Sequence, residues 1–279
     1  MQFPDFDPII FQIGPLAIRW YALAYVAGIL LGWRYAVSLV KTPRLWGGRT
    51  PVANPEQIDD LILWVTLGII LGGRIGYILF YAPNLIWENP IEILQVWKGG
   101  MSFHGGLTGV ILAVVFFARG NGMDIFRLGD LVAPAAPIGL FFGRIANFIN
   151  GELWGRETAV PWGVTGFPGG GIHPRHPSQL YEAALEGLAL FLILRLASHR
   201  LLWLQRRGAM SGLFLVGYAI FRLSLENVRE PDAQMLPFLR SVVTMGMLLS
   251  LPMLLGGLWL LWRAFQDAAD GTPSEQVEG

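Results

Sequence analysis

Seven apolar stretches, each roughly long enough to cross a bilayer, constrain this chain more than any other feature of its sequence. A spanning helix needs about 20 mostly apolar residues, because the bilayer core offers no water to satisfy backbone polar groups. The seven stretches therefore predict an all-α polytopic membrane protein with about seven transmembrane helices. They cover residues 17–40, 60–81, 101–118, 128–150, 178–197, 210–227 and 241–262.

The composition excludes several other classes of protein. Hydrophobic residues make up 53% of the chain and charged residues 14%, whereas an ordinary soluble domain has about 25% charged residues. Such a chain is too apolar to be disordered. Twenty basic residues balance twenty acidic ones, so no basic excess favours nucleic acid. The absence of cysteine excludes a cysteine nucleophile and a cysteine metal site, and no carboxylate cluster has the spacing of a metal site.

The distribution of basic residues predicts the orientation. With the N-terminus outside, nine Lys and Arg residues fall in cytoplasmic segments and five in outside loops. Cytoplasmic loops carry the excess of positive charge in membrane proteins, so we expect the N-terminus outside and the C-terminus in the cytoplasm. The chain then forms a single transmembrane domain over residues 1–264 with a cytoplasmic tail at 265–279. Outside loop or lid segments are expected near 82–100, 151–177 and 228–240.

Glycines recur at four-residue spacing within the predicted spans. Examples are Gly68, Gly72 and Gly76 in the second span and Gly105 and Gly109 in the third. Small residues at this spacing let two helix backbones approach closely in lipid. We therefore expect these glycines to mark helix contacts.

Polar and charged residues in the spans gather on the outer-leaflet side once the orientation is assigned. Each ionisable group at the centre of a span costs about 2.5–3.5 kcal/mol on insertion scales, so each needs a reason. The residues at this level are Arg19, Tyr21, Arg74, His104, Arg144, Asn147, Asn150, Glu152, Glu182, Glu186, Arg222 and Glu226.

Two explanations of this polar level stay open. Buried ion pairs can hold helices together, which we expect for Glu182 and Glu186 and for Arg222 with Glu226 at i and i+4. Alternatively, Arg144 and Arg222 on different helices form a clamp for a phospholipid headgroup, since guanidinium groups bind phosphate oxygens bidentately. A transporter carries such charges too, although it often shows a midplane site and paired repeats.

Four sequence motifs resemble those of the bacterial prolipoprotein diacylglyceryl transferases. The most specific reads Gly-Arg-Ile-Ala-Asn-Phe-Ile-Asn-Gly-Glu-Leu-Trp-Gly at residues 143–155. Others read Gly-Gly-Met-Ser-Phe-His-Gly-Gly at 99–106 and Arg-His-Pro-Ser-Gln-Leu-Tyr-Glu at 175–182. A fourth runs from Gly217-Tyr through Phe221-Arg to Arg229-Glu-Pro-Asp-Ala-Gln. The likeness extends from about residue 3 to residue 262.

The resemblance implies a seven-span enzyme of the bacterial inner membrane with its active site toward the outer leaflet. Members of this family move the sn-1,2-diacylglyceryl group of phosphatidylglycerol to the thiol of the lipobox cysteine in a prolipoprotein signal peptide. A thioether forms and glycerol phosphate leaves, as the first step of lipoprotein maturation. The expected partners are thus phosphatidylglycerol, the prolipoprotein and the bilayer, without a cofactor, a metal or nucleic acid.

The resemblance also implies roles for individual residues. The catalytic residues would be His104, Arg144 and Arg222, with the arginines holding the phosphate as charge develops on it. Whether His104 is a general base, orients a headgroup or is only an interfacial histidine stays open. The substrate-binding residues would be Tyr21, Asn147, Glu152, Gly155 and Glu226, and the buried Arg74 is expected to join them. A phospholipid transporter or flippase using the same arginine pocket remains an alternative, as does a non-catalytic helper of lipoprotein export.

Overall fold

The structure, a computed structural model, describes residues 1–4, 6–7, 9–13, 16–96, 100–230 and 245–269. Most of these residues are helical, in the following elements: α1 Trp20–Val40, α2 Pro55–Tyr81, α3 Leu85–Glu88, α4 Phe103–Gly120, α5 Ile125–Val132, α6 Ala136–Ile149, α7 Ser178–Glu182, α8 Leu190–His199, α9 Ala209–Leu225 and α10 Met245–Ala269. A π-helical stretch, Ala183–Ala189, joins α7 to α8. Short 3-10 turns lie at Pro43–Trp46, Pro90–Leu94 and Trp203–Gln205.

A short β-hairpin precedes α1 and departs from the all-α expectation. Strand β1 (Ile9–Ile13) pairs antiparallel with β2 (Leu16–Arg19), so α1 begins at Trp20 rather than at residue 17. β1 reads Ile-Ile-Phe-Gln-Ile, a composition of β-branched and aromatic residues that favours a strand. The apolar residues 17 and 18 extended the predicted span into this hairpin, because hydropathy alone does not separate a strand from a helix end.

The helices follow the predicted apolar stretches and make the chain a mostly helical membrane protein. Among the described residues, α1 and α2 are long and apolar enough to cross a membrane, and α5 with α6 would be a third span if their 45° bend lies within one crossing. α4 and α9 are shorter apolar helices. α10 continues to Ala269, past the expected end of the transmembrane domain at residue 264. Residues 231–244, which include most of the expected 228–240 segment and the start of the last predicted span, lie outside the described residues.

Glycines bring α2 and α4 into close contact, as their spacing predicts. A β-carbon added to Gly109 would overlap the Gly68 carbonyl oxygen, and one added to Gly72 would overlap that of Gly105. A β-carbon on Gly76 would lie 2.7 Å from the Gly105 α-carbon. The two backbones therefore touch along three successive turns, which only residues without a side chain permit.

Helix α6 is held between α1 and the π-helical stretch. A β-carbon added to Gly28 of α1 would lie 3.1 Å from the Gly139 α-carbon, and one added to Gly187 would lie 2.7 Å from the Phe141 β-carbon. The fully buried apolar side chains, such as Leu39 and Leu194, cluster toward the other end of these helices. The last turn of α6 is thereby fixed among α1, α7 and the π-helical stretch, where the polar residues lie.

Candidate functional site

Charged side chains from α6, α7, the π-helical stretch and α9 meet in one buried network. Arg144 Nη2 lies 2.8 Å from Glu182 Oε2 and 3.5 Å from Glu186 Oε2. The other carboxylate oxygen of Glu182 accepts a hydrogen bond from Arg229. Both glutamate side chains are fully buried, so Glu182 joins two arginines from different parts of the chain. The expectation that Glu182 and Glu186 form buried ion pairs is confirmed.

Arg222 forms a second ion pair at the end of α9. Its Nη1 lies 3.3 Å from Glu226 Oε2, one turn further along, which confirms the predicted i, i+4 pair. This contact is an ion pair without a hydrogen bond, and Nη1 is buried without a hydrogen-bond partner among the described residues. Gly246 of α10 faces the pair, because a β-carbon there would lie 2.7 Å from Arg222 Nη2. Arg222 therefore keeps a buried donor for another acceptor.

A chain of polar side chains connects α1 to the end of α6. Asn147 Nδ2 donates to Glu152 Oε1 at 2.8 Å and to the Tyr21 hydroxyl at 3.5 Å. The Tyr25 hydroxyl donates to that of Tyr21 at 3.5 Å. Tyr21 also interacts electrostatically with Arg144. The predicted residues Tyr21, Asn147 and Glu152 thus lie together beside the arginine network.

Electrostatic interactions unite the two ion-pair clusters. Glu186 interacts with Arg144, Arg222 and Arg229, and Tyr218 of α9 interacts with the same glutamate and with Arg144 and Arg222. Arg144 and Arg222, far apart in the sequence, therefore act on the same buried groups. Pairing with the glutamates offsets the cost of burying these arginines in a membrane protein.

The segment 151–177 is folded over the end of α9 and passes it at Gly155. The Gly155 amide donates to the His176 carbonyl oxygen at 2.9 Å, and a β-carbon on Gly155 would collide with the Val228 carbonyl oxygen. Arg175 stacks on the Trp154 ring at 4.1 Å and pairs with Glu230 at 3.0 Å. Glycine is required at residue 155 because two backbone segments converge there.

His176 takes part in the packing of this segment. Its Nδ1 lies 3.3 Å from the Tyr181 hydroxyl. Burial lowers the pKa of the His176 imidazole below its ordinary value. These contacts give His176 a structural role in the 151–177 segment.

Arg74 has contacts other than the expected ones, and the side chain of His104 is not described by the structure. Arg74 donates from Nε to the Ile93 carbonyl oxygen at 2.9 Å, from Nη1 to that of Gly100 at 3.2 Å, and from Nη2 to that of Glu92. Its contacts with the backbone differ from the expected headgroup contact. His104 lies in the first turn of α4, but its side chain lies outside the described residues.

Two residues of the polar network, Arg229 and Tyr218, were not predicted to belong to the site. Arg229 lies beyond the end of α9, as expected, but it is 9% exposed and donates a hydrogen bond to Glu182, which was not expected. Part of the signal was present in the spacing, because Tyr218, Arg222 and Glu226 follow at intervals of four residues, whereas Arg229 lies beyond the end of α9. That spacing places side chains on one face of a helix.

Comparisons with known proteins agree with one another. The family model described as prolipoprotein diacylglyceryl transferase matches residues 8–263. A phosphatidylglycerol–prolipoprotein diacylglyceryl transferase of Phenylobacterium zucineum is 63% identical over 277 residues, covering 96% of each chain. Proteins of the same name from Caulobacter sp. strain K31 and Rhizobium meliloti are 59% and 55% identical. They cover 100% and 96% of this chain, and 99% and 96% of their own lengths are matched.

Proposed function

The chain belongs to the prolipoprotein diacylglyceryl transferase family, and we propose from that premise that it transfers the sn-1,2-diacylglyceryl group of phosphatidylglycerol to prolipoproteins. The acceptor is the thiol of the lipobox cysteine. Relatives that carry this name match nearly the whole chain at more than half identity. The enzyme itself contains no cysteine, which fits a reaction in which the substrate supplies the thiol.

The reaction sets two requirements for the site. The cysteine sulfur forms a bond to a glyceryl carbon, and the bond from that carbon to the phosphate oxygen breaks, so the electron pair leaves with glycerol phosphate. The thiol, whose ordinary pKa is about 8.5, gives up its proton. The site must therefore favour the thiolate and stabilise the developing charge on the leaving phosphate.

The buried Nη1 of Arg222 is the observation that carries the assignment of residues. It is a guanidinium donor without a hydrogen bond among the described residues, and a phosphate oxygen is an acceptor of the right charge. Arg144 is held by Glu182 and Glu186 and keeps 14% of its side chain exposed. We propose that these two arginines hold the phosphate, while the glutamates keep both guanidinium groups fixed before substrate binds.

The polar chain beside the arginines suits the rest of the headgroup. Hydroxyl, amide and carboxylate groups come from Tyr21, Asn147 and Glu152 of this polar chain and from Glu226 beside Arg222. These groups can bond the glycerol hydroxyls of phosphatidylglycerol. Gly155 supports this arrangement by keeping the outside segment close to α9. His104, on the first turn of α4, is proposed as the group that accepts the thiol proton or orients the headgroup.

We propose that the protein crosses the bacterial inner membrane seven times and opens its site toward the outer leaflet. In support, helices occupy each of the seven predicted apolar stretches. The excess of basic residues lies on the side expected to be cytoplasmic. The polar network lies toward the opposite ends of α6 and α9, where phospholipid phosphates of the outer leaflet would lie.

A direct assay tests the proposed function. Purified protein is mixed with phosphatidylglycerol and a lipobox peptide, and we expect a peptide whose mass has increased by one diacylglyceryl group. An authentic transferase of the family serves as positive control. No adduct under conditions in which that control works would overturn the proposal, and lipid movement between leaflets without an adduct would indicate a transporter instead.

A further inference from the structure

Arg74 holds a segment of backbone whose described part, residues 82–96 and 100–102, contains short helical turns. Residues 82–102 connect α2 to α4 and contain the four-residue helix α3 and the five-residue turn Pro90–Leu94. Helices this short are not stable on their own. Trp87 and Leu94 are 83% and 75% exposed, so these side chains add little packing against the protein. The position of the segment therefore depends on contacts such as those with Arg74.

The guanidinium of Arg74 is turned toward the carbonyl oxygens of this segment. Nε and Nη2 form one edge of the guanidinium, and they donate to Ile93 and Glu92. Nη1 donates to the Gly100 carbonyl oxygen at 3.2 Å. Bidentate phosphate binding uses two parallel N–H groups of one edge. The edge formed by Nε and Nη2 is already engaged with backbone, although Arg74 is buried at the depth expected for a headgroup ligand.

The same part of α2 also fixes the start of α4. The Ser102 amide donates to the Gly73 carbonyl oxygen at 2.9 Å, and the Ser102 hydroxyl caps α4 by accepting from the Gly105 amide at 3.2 Å. Gly100 has φ +74°, and a β-carbon there would lie 2.9 Å from Arg74 Nη1. Residues 100–102 are thus tied to two consecutive residues of α2 immediately before α4 begins at Phe103.

We propose that Arg74 is a positioning residue that locks the 82–102 segment onto α2 and thereby sets the first turn of α4, which includes His104. The inference rests on the proposed function only where it predicts a rate, because the lock itself is a property of the fold. In place of direct contact with the phospholipid, Arg74 acts through the backbone carbonyl oxygens of Glu92, Ile93 and Gly100.

Spin labelling tests the lock independently of catalysis. The chain contains no cysteine, so Leu94→Cys and, separately, Leu192→Cys on α8 accept a spin label without background. We expect Arg74→Gln to raise the mobility of the label at residue 94 and to leave that at residue 192 unchanged. Unchanged mobility at residue 94 in protein that remains folded would overturn the lock, whether or not the protein is a transferase.

Kinetics separate a positioning role from direct phosphate binding. For Arg74→Gln and Arg74→Lys we expect kcat to fall about tenfold or more, because misplacement of a reacting group is costly, with KM for phosphatidylglycerol within about twofold. A rise in KM of about tenfold or more with kcat retained, the size expected for a lost charged hydrogen bond, would contradict the proposal. Arg34→Ala, which removes an exposed arginine from α1, is the control and should change neither constant.

Gly100→Ala changes the other residue of the Arg74–Gly100 contact. It keeps the Arg74 guanidinium but strains a residue at positive φ. Its β-carbon would lie 2.6 Å from the Tyr77 ring and 2.9 Å from Arg74 Nη1. We expect the same loss of kcat and the same gain in label mobility at residue 94. Wild-type kcat and mobility in a Gly100→Ala protein would show that the Arg74–Gly100 contact does not position α4.

Discussion

Arg144 and Arg222 are each held by a buried carboxylate that compensates their charge and fixes their orientation. Glu182 and Glu186 hold Arg144, and Glu226 holds Arg222. Removing one partner of a buried ion pair is strongly destabilising, by about 3–5 kcal/mol, because the other charge is left uncompensated. The glutamates therefore compensate the charge of the arginines and fix their positions in an apolar surrounding. Glu182 does so for both Arg144 and Arg229.

Loss of either arginine should remove the proposed phosphate clamp. We expect Arg144→Ala and Arg222→Ala each to lower transfer by about 100-fold or more, as for other preorganised donors to a developing anion, while the protein still inserts in the membrane. Arg222→Lys should recover only part of the rate, because an ammonium group lacks the paired donors of a guanidinium. The assay is adduct formation by purified protein, with Arg34→Ala as the control, and robust transfer by Arg144→Ala would refute the clamp.

His104 is testable although its role rests on the resemblance and on its place at the start of α4. If it accepts the thiol proton, His104→Asn and His104→Gln should lower the rate by about 100-fold or more. The rate of the variants should partly recover as pH rises toward the ordinary thiol pKa of about 8.5. Near-wild-type transfer would make His104 structural, and a pH-independent loss would favour a role in orienting the headgroup.

At the scale of single elements, α5 begins at a charged cap. Asp124 Oδ1 accepts from the amides of Phe126 and Arg127, and Oδ2 lies 2.6 Å from Arg207 Nε, before α9. Although burial alone would raise it, these hydrogen bonds and the Arg207 charge hold the pKa of Asp124 below its ordinary value. The carboxylate thus joins the start of α5 to the approach of α9, on which Arg222 lies.

Asp124 should make the folded protein less stable as the pH falls. Because folding lowers its pKa, its contribution is complete above the unfolded value of about 3.9 and is lost as pH falls through the folded value. We expect Asp124→Ala to cost about 1 kcal/mol at pH 7. Asp124→Asn keeps a capping oxygen and loses the ion pair, so its Tm deficit should be constant from about pH 7 to 5 and shrink below about pH 4. A deficit that grows with acidification would contradict this sign.

The contact between α2 and α4 should be intolerant of added volume. Gly109→Ala would place a β-carbon against the Gly68 carbonyl oxygen, forcing the helices apart at a cost of about 1–3 kcal/mol. We expect a clear drop in Tm in detergent. Gly120→Ala is the matched control on the same helix, since a β-carbon there would meet nothing within 4 Å. Equal Tm values for the two variants would show that the close approach contributes nothing to stability.

At the scale of the whole molecule, the proposed orientation assigns each connection to one side of the membrane. Trp162 in the 151–177 segment and Leu201 between α8 and α9 are both more than half exposed. We expect Trp162→Cys to react with a membrane-impermeant thiol reagent from outside intact cells, and Leu201→Cys to react only after the membrane is opened. The cysteine-free parent chain is the blank. If Leu201→Cys reacted in intact cells and Trp162→Cys reacted only after the membrane was opened, the opposite orientation would be shown.

Much of the architecture was predictable because hydropathy is a local property. The apolar stretches located the helices, and the glycine spacing located the contact between α2 and α4. The hairpin before α1, the bend between α5 and α6 and the π-helical stretch were not predicted, since hydropathy does not distinguish backbone conformations of similar composition. The face of α9 and its cap that carries Tyr218, Arg222 and Glu226 was readable from the spacing, whereas the contact of Arg229, which lies beyond the end of α9, was not.

The sequence by itself determined the family, the membrane character and the set of polar residues that must be buried together. Only the tertiary structure decided which groups those residues meet. Glu182 contacts Arg144 and Arg229, 38 and 47 positions away. Arg74 donates to the backbone carbonyl oxygens of Glu92, Ile93 and Gly100, where the sequence suggested a lipid headgroup. The physical reason is the distance along the chain over which each effect acts. Apolar burial is averaged over some 20 residues of one segment, whereas a hydrogen bond requires about 3 Å between two particular atoms, which only the packing of distant segments sets.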